Sequence, residues 1–135
     1  MSNDQAAATR PAGQHDADAG MLALLFASID ARNADAFVEH LTDDARFVFG
    51  NAEAAVGKAA IAAMVRGFFS SIRACRHELT GSYRDGDTLV CRGTVTYTRQ
   101  DARVVQVPFC NVMSMRGRRV ADYQIYSDPA PLFAP

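Results

Sequence analysis

One histidine of the three lies inside a strand-like pattern. His77 sits in Arg73-Ala74-Cys75-Arg76-His77-Glu78-Leu79-Thr80-Gly81-Ser82-Tyr83, whereas His15 falls near the N-terminus and His40 at the end of a short helical stretch. An imidazole titrates near neutral pH, so a positioned His77 can both take and give a proton. Such transfer is worth roughly 10²–10⁴-fold in rate. It needs an orienting carboxylate, and Asp30, at the end of an apolar helical stripe, can face His77 from that helix. Asn111 and Tyr97 fall on the apolar-leaning phase of two later strands, where an amide and a phenol can hold a carbonyl or hydroxyl oxygen. The same residues also fit a core histidine satisfied by Asp30 and a buried amide paired to a phenol. Residue type alone leaves both open.

Three helices must carry Asp30 and oppose the strands. Leu22, Leu25, Phe26 and Ile29 recur at one-face helical spacing, with Asp18 as a cap for a helix starting near Ala19. Asn33 can cap a short second helix that buries Phe37, Val38 and Leu41, closed by a turn at Thr42-Asp43-Asp44. Ala45 to Phe49 reads as a short strand stopped by Gly50-Asn51. Lys58 to Ser71 reads as a third helix with a wide apolar stripe. The period then changes to two. Turn signals at 84–87, 99–102 and 116–118 cut the remainder into strands over about 73–83, 87–99, 103–115 and 119–128. Hairpin connections make these an antiparallel meander, and the whole an α+β domain with its helices on one face.

Alternation sets the inward phase. Cys75, His77, Leu79, Gly81 and Tyr83 share one side, as do Leu89, Cys91, Gly93, Val95 and Tyr97, and Val105, Val107, Phe109, Asn111 and Met113. Gly93 in mid-strand marks a bend or a close approach. In the last strand periodicity turns Tyr123 and Ile125 inward. Phe26, Phe49, Tyr83 and Phe109 are cavity lining if a cavity exists and core otherwise. Outward Thr94, Thr96 and Thr98 with Val104 give a mild sheet face suited to a homodimer.

Composition excludes several classes. With 49% hydrophobic residues, 21% charged residues and a net charge of −1, the chain has no electrostatic footprint for nucleic acid or anionic lipid. Its three cysteines are odd in number and lack CxxC spacing, so neither a disulfide framework nor a zinc site is expected. No phosphate-cradling glycine loop is present, so the expected chemistry needs no cofactor and no metal. The first apolar run is too short to span a membrane, and a cytoplasmic location is expected. Residues 1–17 read as a loosely attached or disordered tail and 18–135 as one domain.

The order of elements resembles the nuclear transport factor 2-like, or SnoaL-like, superfamily of cone-shaped domains. The resemblance rests on Ser28-Ile29-Asp30-Ala31-Arg32-Asn33, Leu41-Thr42-Asp43-Asp44-Ala45, Val56-Gly57-Lys58 and Tyr126-Ser127-Asp128. It implies three helices wrapped by a strongly bent antiparallel sheet. The superfamily's ketosteroid isomerases place a base where Phe49 stands here, and the Arg-x-Asp of limonene epoxide hydrolases meets Arg92-Gly93-Thr94. Scytalone dehydratase matches at Asp30, His77 and Asn111, but its helix tyrosine becomes Ile29, its first-strand tyrosine falls near Phe49, and its second histidine has no counterpart in this sheet. The acid of SnoaL-like cyclases implies a role for Asp128, which would turn Gln124 and Asp128 inward instead. The expected function is acid/base chemistry (dehydration, isomerisation or cyclisation) on a small apolar oxygenated molecule. The alternative is a binding or structural dimer of the same fold.

Overall fold

The structure is a computed structural model, described here for residues 12–135. Helix α1 spans Ala12–Asp30 and α2 Ala34–Val38. Strands β1 (Leu41–Phe49) and β2 (Ala55–Val56) precede α3 (Lys58–Ser71). Then follow β3 (Ile72–Asp85), β4 (Thr88–Arg99), β5 (Val104–Arg116), β6 (Arg119–Tyr126) and a short α4 (Ala130–Phe133). The sheet order is β2-β1-β6-β5-β4-β3. The four long strands form the expected meander. The three expected helices are present, and α4 is additional.

Three local differences matter. Helix α1 begins at Ala12, not near Ala19, so Asp18 is an interior helical residue. It is buried and accepts from Arg84 Nη1 at 3.0 Å and Gln14 Nε2 at 2.9 Å. Of the expected tail, residues 12–17 are thus the first turns of α1, and 1–11 lie outside the described residues. Thr42-Asp43-Asp44 is part of β1 and not a turn, with Thr42 donating to Asp44 at 2.9 Å. β1 also pairs parallel to β6, for example Phe47 with Tyr123, which periodicity within single segments does not reveal.

The end of α1 sets Asp30 in place. Asn33 N–H bonds Ser28 O at 3.0 Å and Arg32 N–H bonds Ile29 O at 2.8 Å, with Arg32 at φ 54°. This is the Schellman closure of a helix. A carboxylate in the last turn opposes the helix dipole, an unfavourable place for Asp30 on local grounds. Its partners come from the sheet.

Two register shifts shape β3. Leu79 pairs with Gly93 and Gly81 with Arg92, so Thr80 is the extra residue of a β-bulge. A bulge reverses which side chains face inward beyond it. Hence Tyr83 points out, 52% exposed, while Arg84 turns in to Asp18. The expectation that Tyr83 lines the interior is corrected on this ground. Gly93 answers its expectation: a Cβ there would lie 2.0 Å from the Glu78 carbonyl oxygen, so β3 can bend across β4 only over a bare Cα.

Candidate functional site

Between the helices and the concave sheet face lies a cavity of about 270 Å³. Its walls are mostly rings: Phe26 from α1, Phe47 and Phe49 from β1, Phe68 from α3 and Phe109 from β5. Phe49 and Phe68 pack at 5.6 Å between centroids, and Phe68 stands edge-on to Tyr97 at 5.8 Å. Five polar side chains interrupt this surface: His77, Tyr97, Asn111, Tyr123 and Ser127.

His77 and Asp30 form a close pair. Nδ1 lies 2.6 Å from Asp30 Oδ1, and the backbone N–H of His77 donates to both carboxylate oxygens, at 3.2 and 3.0 Å. One residue thus grips the carboxylate through its main chain while its ring takes orientation from it. Phe26 (4.9 Å between centroids) and Phe109 (5.3 Å, edge-on) confine the imidazole. With Nδ1 engaged, the neutral ring carries its proton there, and Nε2 has no protein partner among the described residues. Nε2 is therefore the nitrogen available for proton transfer.

Cys75 adds a third donor to the carboxylate. Its Sγ lies 3.9 Å from Asp30 Oδ1 and 3.5 Å from the Ile29 carbonyl. Burial, reinforced by the Asp30 charge, pushes this thiol up to about 12. Asp30, Cys75 and His77 are the one group of potential metal ligands among the described residues. The residues do not fit an ion. A 2.6 Å N···O separation is a hydrogen bond, whereas two ligands about 2.0 Å from a tetrahedral ion stand roughly 3.3 Å apart.

Tyr97 stands opposite Cys75 in the β3–β4 register and is buried. Burial first, then the neighbouring Cys75 and Asp30, hold its phenol above its ordinary pKa. It stays protonated at neutral pH as a hydrogen-bond donor. Asn111 is 2% exposed and donates from Nδ2 to Tyr123 OH at 3.3 Å. Burial likewise holds the Tyr123 phenol well above its ordinary range, with the Cys91 thiol adding to it.

The structure brings His77, Asp30, Asn111, Tyr97, Phe26, Phe49 and Phe109 to this one region. Tyr83 and Asp128 are elsewhere. Asp128 is exposed and accepts from the Ala130 backbone N–H at 3.0 Å, capping the turn into α4. β6 presents Tyr123 and Ile125 to the cavity, which decides between the two phases: it is the one periodicity favours and not the Gln124–Asp128 phase that the resemblance implies. Sequence reasoning did not single out Ser127 or Phe133. Both line the wall and lie beyond the end of β6, where strand periodicity no longer gives a phase.

The family model for the SnoaL-like domain matches residues 22–123. The chain belongs to this family. No curated protein matches the sequence. Solved structures share the fold. A protein with a ketosteroid isomerase-like fold from Catenulispora acidiphila, in complex with trimethylamine, is 18% identical with a TM-score of 0.74, covering 78% of this chain and 83% of its own. A protein named as a SnoaL-like polyketide cyclase from Jannaschia sp. is 16% identical (TM-score 0.75; 87% and 90% covered). An LEH-like epoxide hydrolase from M. tuberculosis is 16% identical (TM-score 0.70; 84% of each chain). At these identities the likeness carries the SnoaL-like fold, and this chain's own residues must carry the chemistry. Among the described residues no helix is long and apolar enough to cross a membrane.

Proposed function

We propose that this SnoaL-like domain is a cofactor-independent acid/base enzyme acting on a small apolar oxygenated molecule held in its cavity. The observation that carries this reading is the His77–Asp30 pair at 2.6 Å, set in a ring-lined cavity with Nε2 unpartnered among the described residues. Nε2 takes a proton from a carbon next to a substrate carbonyl. The Asp30 carboxylate stabilises the imidazolium that forms. Tyr97, kept neutral by burial, donates to the oxygen on which charge develops. The imidazolium then returns the proton at another carbon, giving isomerisation, or to a leaving hydroxyl, giving water and an alkene. Apolar walls keep bulk water from competing for the proton.

Solvent exchange tests this without a known substrate. The protein is incubated in D₂O with a panel of cyclic ketones and β-hydroxyketones, and deuterium incorporation at acidic carbons is followed by NMR. Wild-type protein should catalyse exchange in at least one class, and His77→Gln should lose about 10²–10⁴-fold of that rate. Compounds that bind the cavity and never exchange would instead establish the binding-module alternative.

A further inference from the structure

We propose that Phe133 recognises the outer end of the ligand, so that the substrate is a ketone carrying an apolar group, best an aromatic ring, on the side away from its carbonyl. This rests on reading the cavity as a substrate site and adds the part of the ligand that reaches its mouth. Of the described residues that line the cavity, Ala52 and Phe133 are the exposed ones, so they mark where it opens to solvent. Ala52 offers a methyl group. Phe133 offers a whole ring, 63% exposed and without a ring contact among the described residues. The rings deeper in the wall do pack on one another, as Phe49 does on Phe68 and Phe68 on Tyr97. An aromatic ring left in water at a cavity mouth is apolar surface that a ligand can cover.

The local structure explains why the ring stands there. Leu132 is buried and anchors α4, and successive helical residues point about 100° apart. Burying Leu132 therefore turns Phe133 off the core. The segment is tied down on both sides of this pair. Asp128 accepts from the Ala130 backbone N–H at 3.0 Å, Arg99 Nη1 donates to the Pro131 carbonyl at 3.3 Å, and Arg103 Nη1 donates to Pro135 O at 3.1 Å. A ring presented on a fixed backbone loses little freedom when a ligand covers it. At the other end Phe26 and Phe109 confine His77, so the ligand enters with its reacting end first. Whatever group trails at the mouth meets Phe133. Covering the free face of one ring is worth about tenfold in affinity.

Two ketones test this on the whole chain: cyclohexanone and 4-phenylcyclohexanone, with affinities from NMR titration. Wild-type protein should bind the phenyl ketone about 10- to 100-fold tighter. Phe133→Ala should cut that ratio by about tenfold and leave the affinity for cyclohexanone unchanged. Phe133→Leu should recover part of the ratio, and His77→Gln should keep all of it. Phe133 lies outside the buried core, so these variants keep the fold. A ratio unchanged in Phe133→Ala would overturn the proposal. So would equal weakening of both ketones, which marks a merely structural role, or failure of the phenyl ketone to bind wild-type protein. A ratio that depends on Phe133 without any solvent exchange would sink the enzyme reading alone, whereas exchange with a ratio indifferent to Phe133 would sink this inference alone.

Discussion

Replacing Asp30 by Asn keeps the shape of the side chain and removes its charge, which makes it the sharpest probe of the pair with His77. Asp30 accepts from the His77 main chain, from Nδ1 at 2.6 Å and from the Cys75 thiol. A hydrogen bond to a charged group contributes about 1.5–3 kcal/mol and a neutral one about half that. Asn retains one acceptor oxygen and places an NH₂ against donors. Two weakened bonds and one lost thiol contact should sum to about 2 kcal/mol, the carboxylate being mostly buried at 28% exposure. Removing a carboxylate that opposes the helix dipole returns at most a few tenths of that. For a domain this size roughly 4 °C of Tm follows each kcal/mol, so a fall of about 8 °C is expected. Urea unfolding followed by circular dichroism at neutral pH measures it. A loss under about 0.5 kcal/mol would place the pair with ordinary surface ion pairs and refute the reasoning from its geometry.

Gly93→Ala should destabilise by about 3 kcal/mol or prevent folding, because the added Cβ meets the Glu78 main chain at 2.0 Å; a variant as stable as wild type in urea would mean β3 crosses elsewhere. Arg84→Met should cost about 3–5 kcal/mol by leaving the Asp18 carboxylate, 8% exposed, without its cation; the same titration reads it, and a loss below about 1 kcal/mol would contradict the burial of the pair. Cys75 and Cys91 are both pushed up to about 12 by burial. The folded state then holds protons that the unfolded thiols release above their ordinary pKa near 9. Stability is therefore fully present below about pH 9 and declines from there towards pH 12, by about 1.4 kcal/mol per thiol between pH 8 and 10. Cys75→Ala should remove about half of that slope, and an unchanged slope would count against it. An aromatic disulfide reagent should label Cys110, the one half-buried thiol, before the other two; simultaneous labelling of all three in native protein would contradict their burial.

Much of this site was legible in the chain. The spacing of Leu22, Leu25, Phe26 and Ile29 fixed the inward face of α1 and put Asp30 at its edge. Alternation placed His77, Tyr97 and Asn111 on the concave side, because strand side chains reverse at every residue and a half-buried sheet cannot tolerate a slip. Gly93 announced a close backbone approach, and Asp30 at a helix C-terminus announced that local preference had yielded to something else. Tertiary structure alone decided the rest. The Thr80 bulge sends Tyr83 outward and Arg84 inward, since one unpaired residue reverses the phase of all that follow. The parallel pairing of β1 with β6 depends on partners more than seventy residues apart, which no local pattern encodes. The 2.6 Å contact of His77 with Asp30 and the 3.3 Å contact of Asn111 with Tyr123 are distances between separate elements. Sequence sets which side of an element faces in, because that depends on neighbours along the chain. Which polar atoms then meet depends on how those faces pack.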